Sequence, residues 1–177
     1  GQEISKFPTH ERVKMGISRT YQIPRPFSEM SVTKNIRIGI MPDEIFGVMS
    51  MNTESQFESK IGKSVGFNDR HLQAYPYELS MGDLRRLELA RTIATNPKLL
   101  LLDEVFAGLT TAEIAELSEL LKEKKKDGLT FIIVSHDLRA LAPLVDRGVV
   151  ISFGEYIAEG PYDEIVNHKK VQEAYFG

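Results

Sequence analysis

The sequence has no cysteine, which excludes disulfide bonds, thiolate metal sites and cysteine nucleophiles. It also has no long hydrophobic run, because the longest aliphatic stretch, Leu99–Leu102, has four residues, whereas a bilayer-spanning helix needs about 20. The N-terminal residues show no signal-peptide pattern. A net charge of −3 gives no electrostatic footprint for nucleic acid or anionic lipid. These absences disfavour disulfide-stabilised, membrane-spanning and nucleic-acid-binding classes, and we expect no nucleic-acid partner.

The 177 residues are enough for one ordinary domain with a single core. From Ser80 onward, helical and strand patterns alternate: a helix over Ser80–Thr95, a strand over Leu99–Leu102, a helix over Thr110–Lys126 and a strand over Thr130–Val134. Wholly apolar strands separated by helices predict an α/β fold, with a parallel sheet whose strands are buried on both faces. Residues 28–79 predict short helices and loops.

The C-terminal part predicts a short helix after His136, kinked or shortened by Pro143. A hairpin then joins strands over Val149–Phe153 and Tyr156–Glu159. Because glycine comes first in the predicted two-residue loop Gly154-Glu155, we expect a type II′ turn. Two short helical segments close the chain.

Polar residues follow the predicted strands. Asp103 and Glu104 come directly after Leu99–Leu102, where ligands bind in open α/β sheets. An aspartate there suits Mg²⁺, and a glutamate suits activation of a water molecule. His136, after the next strand, can reach the same edge, and Gln22 offers a neutral oxygen ligand. A strand that simply ends in a polar loop is the alternative.

The segment Leu79–Asp83 allows two interpretations. Ser80 and Asp83 have the spacing of a helix N-terminal capping box, which favours a capped helix and nothing more. The same hydroxyl, followed by Gly82 and the free N–H groups of a helix N-terminus, also suits a phosphate group.

Taken together and in this order, four motifs resemble those of the ATP-binding subunit of ABC transporters. Gln22 resembles the Q-loop, Leu79–Gly82 the signature motif, Leu102–Glu104 the Walker B motif with its catalytic glutamate, and His136 the H-loop. Three further segments resemble the importers of branched-chain amino acids. They are Gly16–Phe27, Arg85–Arg91 and Val171–Gly177.

The resemblance implies an α/β fold with a P-loop NTPase-type parallel sheet core, incomplete at the N-terminus, and an α-helical subdomain. Residues 1–27 would form the end of the N-terminal core part and the Q-loop. Residues 28–95 would form the helical subdomain with the signature motif. Residues 96–177 would form the core α/β part with Walker B, D-loop, H-loop and the C-terminal hairpin and helices.

The resemblance also implies ATP hydrolysis with Mg²⁺. Asp103 and Gln22 would support the metal, and Gln22 would also face the nucleotide. Glu104 would activate water and His136 would contact the γ-phosphate, so these two are the expected catalytic residues. Ser80 and Gly82 would hold the γ-phosphate of ATP bound to a second subunit.

The implied partners are a second ATP-binding subunit, paired head to tail, and transmembrane permease subunits, with the chain cytoplasmic and peripheral on the inner face of the cell membrane. Import of branched-chain amino acids is the expected task. The alternatives are an ATPase of another ABC system, for lipid or urea, and a non-hydrolysing module that only pairs with a partner.

The sequence departs from the family pattern in several places. The phosphate-binding G-x-x-x-x-G-K-[ST] loop is missing: Gly62–Ser64 has the right ending, but Phe57 stands where the first glycine belongs. We therefore expect Gly62–Ser64 to be a solvated loop or helix end, and the chain to be an N-terminally truncated copy. Met81, Asp83 and Thr110 also replace the usual residues.

Overall fold

A computed structural model describes residues 2–41 and 56–176. Residues 42–55 of the predicted helical subdomain lie outside this part. The chain divides into two compact units, residues 1–134 and residues 135–177. The helices of the first unit are α1 (Thr9–Lys14), α2 (Val32–Ile40), α3 (Gln56–Ser64), α4 (Asp69–Gln73), α5 (Met81–Ala94) and α6 (Thr111–Lys126). A 3-10 turn covers Pro76–Glu78.

The sheet of the first unit has three parallel strands in the order β1-β2-β3: β1 (Ile17–Arg19), β2 (Leu99–Asp103) and β3 (Thr130–Val134). The predicted parallel sheet is therefore confirmed, and its central strand is the aliphatic run that the sequence singles out. Because all three strands run in the same direction, their carboxyl ends lie at one edge. That edge carries Arg19, Asp103 and Val134, the last residues of the three strands.

The two long helices begin and end as their sequences predict. Ser80 caps α5, with its hydroxyl oxygen accepting the Asp83 N–H. Thr110 caps α6 and completes a capping box with Glu113. At the other end of α6, Gly128 has a φ of +93°, and its N–H donates to Lys125 O. This left-handed glycine is the usual residue that ends a helix.

The central strand β2 is buried more completely than its neighbour β3. Leu100 and Leu102 of β2 are fully buried, and Leu87, Leu89 and Leu121 of the two long helices are also fully buried. The prediction that β3 is buried is wrong for one of its faces, because Ile132 is 53% and Val134 57% exposed. In the part of the chain that the structure describes, β3 pairs with β2 alone, so no described strand covers its other edge.

The second unit is a hairpin with short helices. It contains α7 (Leu138–Leu141), β4 (Arg147–Ser152), β5 (Glu155–Pro161), α8 (Tyr162–Val166) and α9 (Lys169–Phe176). Its core consists of Val150, Ala158, Ile165 and Val171. Helix α7 ends before Pro143, as predicted.

The hairpin turn differs from the predicted one. Ser152 pairs with Glu155, so the two-residue loop is Phe153-Gly154 and not Gly154-Glu155. Both loop residues have positive φ, +49° and +82°, as in a type I′ turn and not type II′. β4 ends at Ser152 and β5 begins at Glu155, each one residue earlier than predicted, so the loop lies one residue earlier in the chain.

None of the helices within residues 2–41 and 56–176 combines the length and the apolar character that crossing a membrane requires.

Candidate functional site

Asp103 lies at the carboxyl edge of the sheet, as the sequence predicts. It is the last residue of β2, and its carboxylate accepts a hydrogen bond from Arg19, the last residue of β1, at 2.7 Å between Nη2 and Oδ2. The Asp103 side chain is 31% exposed, so the carboxylate remains reachable from solvent. A guanidinium group thus holds a positive charge at the position where the sequence predicts a cation.

Glu104 has an unusual backbone. Its φ is +48°, a left-handed conformation that costs a residue with a side chain about 1–2 kcal/mol. Its N–H donates to Val134 O at 2.9 Å, which ties it to the end of β3. Strained residues of this kind concentrate at functional sites, and this conformation aims the glutamate differently from a continuing strand.

Two carboxylates of this chain lie against the predicted signature motif. The Ser80 hydroxyl donates to Asp83 Oδ2 at 2.9 Å, so Asp83 turns back onto the helix cap. The Glu113 carboxylate lies so close to Gly82 that a side chain on Gly82 would overlap it. The start of α5 therefore accepts anionic oxygens at close range, as a helix N-terminus should.

Glu113 is a residue whose second role the sequence does not reveal. Its spacing from Thr110 predicts the capping box, and both the N–H and the hydroxyl of Thr110 donate to it at 2.9 Å. Hydrogen bonds from the Thr110 backbone and side chain, together with the Gly82 N–H, lower the pKa of Glu113. Contact with Gly82 joins two helices, and no local pattern signals it.

Gln22 lies three residues beyond β1, and its side chain is exposed. The backbone carbonyl oxygen of Gln22 accepts a hydrogen bond from Arg85 Nη2 of α5 at 2.6 Å. The first unit thus contains Gln22, Ser80, Gly82, Asp103 and Glu104, and the backbone of Gln22 is bonded directly to the helix that Ser80 caps.

His136 belongs to the second unit and is exposed. Its neighbour Asp137 caps α7, with Oδ1 accepting the N–H groups of Arg139 at 3.0 Å and Ala140 at 3.1 Å. The Asp137 N–H donates to the Ser135 hydroxyl at 3.1 Å. These bonds fix the backbone on both sides of His136.

The segment Gly62–Ser64 is a helix end, as predicted. It closes α3, which follows no strand among the described residues. Lys63 pairs with Asp69 at 2.8 Å, and the Ser64 hydroxyl donates to Ile61 O at 2.8 Å. Since a phosphate cradle needs a loop between a strand and a helix, these residues do not form one.

The donor chemistry fits a magnesium ion bound together with phosphate oxygens. Within the described ranges, no group of three or more histidine, aspartate or glutamate side chains forms a protein-only metal site. Mg²⁺ keeps several water ligands and is commonly held by one or two carboxylates together with substrate phosphates. A solvent-accessible Asp103 that already faces a cation meets this requirement.

Comparisons with known proteins show which family the chain resembles. Residues 1–107 match the sequence model described as ABC transporter, and residues 157–177 match the one described as branched-chain amino acid ATP-binding cassette transporter. A probable branched-chain amino acid transport ATP-binding protein, LivG, from Archaeoglobus fulgidus is 34% identical over 184 residues, covering 100% of this chain and 72% of that protein. The lipopolysaccharide export system ATP-binding protein LptB from Haemophilus influenzae is 28% identical, covering 100% and 72%.

A solved structure has the same fold. The ADP conformation of an ATP-binding cassette of an ABC transporter superposes with a TM-score of 0.82 and 29% identity, covering 100% of this chain and 74% of that chain. The family sequence model, the relatives and the fold all indicate the same protein family. The chain belongs to the ATP-binding cassette family of ABC transporters, whose members hydrolyse ATP.

Proposed function

We propose that this chain is the ATP-hydrolysing part of an ABC importer of branched-chain amino acids. The observation that carries the proposal is the match of residues 157–177 to the branched-chain amino acid cassette, which is separate from the general family match over residues 1–107. The resemblance to LivG supports the same substrate class.

Asp103 and Gln22 support Mg²⁺ in this proposal. Asp103, the last residue of β2, supplies the carboxylate, and Gln22, three residues beyond β1, supplies the neutral amide oxygen. When bound, the metal neutralises charge that develops on the transferring phosphoryl group. The guanidinium of Arg19, at 2.7 Å from Asp103, holds the carboxylate in place before the ion arrives.

Glu104 positions and activates the attacking water, and His136 contacts the γ-phosphate. The left-handed backbone of Glu104 supports this role, because its strain is retained where the direction of the side chain matters. Phosphoryl transfer depends on positioning and charge stabilisation, so a glutamate fixed by its backbone suits the task.

Ser80 and Gly82 hold the γ-phosphate of ATP carried by a second, head-to-tail subunit. The Ser80 hydroxyl now donates to Asp83, and the Glu113 carboxylate lies against Gly82. We propose that phosphate oxygens replace Asp83 and Glu113 at these positions. A side chain at Gly82 would block this approach.

Residues near Ile23 to Met30 and the helix after them face transmembrane permease subunits in the proposed assembly at the inner face of the membrane. Exposed apolar side chains support this contact, since Ile23 is 67% and Phe27 44% exposed. Pro24 and Pro26 stiffen the segment.

ATP hydrolysis also needs a phosphate cradle that these 177 residues do not contain. We expect the purified 177-residue chain to show no Mg²⁺-dependent ATP turnover, because its sequence lacks the G-x-x-x-x-G-K-[ST] loop that cradles the phosphates. Turnover by the purified chain would contradict this expectation.

Glu104→Gln tests the catalytic assignment in the assembled transporter. The variant should abolish turnover and accumulate ATP-bound dimers, because the amide still fits but no longer activates water. Glu119→Gln is the matched control, since Glu119 is a surface residue paired with Lys122. Normal ATP hydrolysis by Glu104→Gln would show that Glu104 is not a catalytic residue, and it would favour the alternative of a non-hydrolysing pairing module.

Lipid export is the second candidate, favoured by the resemblance to LptB, and urea transport is a third. The reconstituted transporter separates them through its ATPase rate. A binding protein loaded with leucine, isoleucine or valine should stimulate hydrolysis, whereas lipopolysaccharide and urea should not. Stimulation by lipopolysaccharide or urea alone would replace the proposed substrate class.

A further inference from the structure

Three charged residues of α5 hold the irregular segment Tyr21–Phe27 by its backbone. Arg85, Glu88 and Arg91 are spaced three residues apart, which places them along one face of the helix. All three bond to backbone groups of that segment. The segment has no helix or strand of its own, so these contacts take the place of regular hydrogen bonding.

Arg85 grips two successive peptide groups. Its side chain is 4% exposed, with Nη1 donating to Tyr21 O at 3.0 Å and Nη2 to Gln22 O at 2.6 Å. A planar guanidinium can donate in two directions at once, which an ammonium group on a flexible stem cannot reproduce. The backbone carbonyl groups on both sides of the Gln22 Cα, those of Tyr21 and Gln22, are therefore both held by Arg85.

Glu88 completes the arrangement from the same helix. Its Oε1 accepts the Tyr21 N–H at 2.6 Å, and its Oε2 lies 3.6 Å from Arg85 Nη1. Both side chains are buried, so each supplies the opposite charge that the other needs. Further along, Arg91 donates to Arg25 O at 2.8 Å and stacks 4.9 Å from the centre of the Phe27 ring.

We infer that Arg85 and Glu88 are positioning residues for Gln22: they fix its backbone to α5, so that Gln22 and the Ser80–Gly82 start of that helix move as one body. The inference rests on the proposed function through the role of Gln22 at the metal. The binding of Mg²⁺ and nucleotide at Gln22 is then transmitted to Ser80 and Gly82 without a flexible step.

The first test measures the clamp itself by hydrogen exchange of the Tyr21 amide in the full chain, without nucleotide. Glu88→Leu removes the acceptor and should speed exchange about tenfold, whereas Glu88→Gln keeps an acceptor and should restore most of the protection. Thr92→Ala is the matched control, because it removes a buried hydroxyl bonded to Glu88 O within the same helix without touching Tyr21. Equal acceleration in Glu88→Leu and Thr92→Ala would overturn the clamp.

The second test measures the Mg²⁺ concentration that gives half-maximal ATPase activity in the assembled transporter. Arg85→Met should raise it by about 10- to 100-fold, as loss of a residue that orients a metal ligand does. Arg85→Lys keeps the positive charge but loses the two-directional guanidinium donors. Its half-maximal Mg²⁺ concentration should therefore lie between those of wild type and Arg85→Met. Arg86→Met is the control at the next position, where the arginine pairs with Asp83 and Glu116 instead.

A double-mutant cycle separates this inference from the proposed function. If Arg85 acts through Gln22, Arg85→Met should add nothing to the Mg²⁺ requirement in a Gln22→Ala background. An additive effect, or a normal Mg²⁺ requirement in Arg85→Met while Gln22→Ala raises it, overturns the inference and leaves the proposed function intact. If Gln22→Ala has no effect while Tyr21 exchange still responds to Glu88→Leu, the role of Gln22 fails and the clamp stands.

Discussion

Asn35 is a fully buried asparagine that pins the end of the segment held by α5. Its Oδ1 accepts the Phe27 N–H at 2.8 Å. Its Nδ2 lies within hydrogen-bond distance of the carbonyls of Phe27, Met30 and Ser31, at 3.0, 2.9 and 3.1 Å. Asn35→Asp keeps the acceptor, removes both donor hydrogens and places a carboxylate against three carbonyl oxygens.

The cost follows from these bonds. An amide nitrogen has two hydrogens, so the three carbonyls share two bonds, and at about 1 kcal/mol each their loss removes about 2 kcal/mol. Burial of the unpaired charge adds to this loss. For a urea m-value of about 2 kcal/mol/M, the unfolding midpoint should fall by about 1 M.

Urea unfolding of the intact ATP-binding subunit, followed by circular dichroism, measures the shift. The midpoint should recover in part in acidic solution, where the new carboxyl binds a proton and can donate again. Asn68→Asp is the control, because Asn68 caps α4 through an exposed side chain and aspartate caps a helix equally well. Equal midpoints for Asn35→Asp and wild type would refute the bond count.

Two further changes give opposite pH trends, and a third alters the hairpin. Burial raises the pKa of Glu88, so the folded chain binds this proton more tightly than the unfolded chain, and the contribution of Glu88 to stability falls as pH rises from 4.5 through the raised pKa. The stability of wild type relative to Glu88→Gln should therefore decline between acidic and neutral solution. Hydrogen bonds from Thr110 lower the pKa of Glu113, so its contribution is present above pH 4.5 and is lost as pH falls through the lowered pKa. The advantage of wild type over Glu113→Gln should accordingly grow toward neutral pH, and urea midpoints across this range check both trends. Phe153→Asn should stabilise the protein by about 1 kcal/mol, because asparagine tolerates the left-handed turn position better than phenylalanine. An unchanged or lowered midpoint in that variant would contradict the turn assignment.

Local features could be predicted from the sequence because their causes are local. The caps at Ser80 and Thr110 depend on a residue three positions away, and Gly128 ends α6 by its own conformation. The parallel sheet followed from the alternation of apolar runs and helices, and the order of the four motifs indicated the family. Each of these features can be recognised from a short stretch of sequence or from the order of motifs along the chain.

Burial and turn geometry could be predicted only in part. β3 has an apolar sequence, but whether a face is buried depends on which elements cover it, and the described part of the chain leaves Ile132 and Val134 exposed. At the hairpin, Gly154 indicated a turn correctly. The left-handed conformation of Phe153 runs against the preference of phenylalanine, so the loop position and turn type were wrong.

The contacts that join the site were beyond sequence reasoning. Arg19 and Asp103, Gly82 and Glu113, and Gln22 and Arg85 are each separated by tens of residues, and no spacing rule links them. The sequence nominated the residues that we propose carry the chemistry. It did not predict the buried charges of α5 that hold one of them.

The parallel sheet also determines when the chain can fold during synthesis. Arg19 and Asp103 are 84 residues apart, so β1 waits for its only described partner strand until that length has been made. At about 5–20 residues per second, the ribosome needs roughly 4 to 17 seconds for this interval. For that time β1 lacks β2, and it lies beside the segment that includes the exposed Ile23 and Phe27. The strands of the β4–β5 hairpin are joined by a two-residue turn, so their pairing waits for no distant segment, although their core also needs Ile165 and Val171.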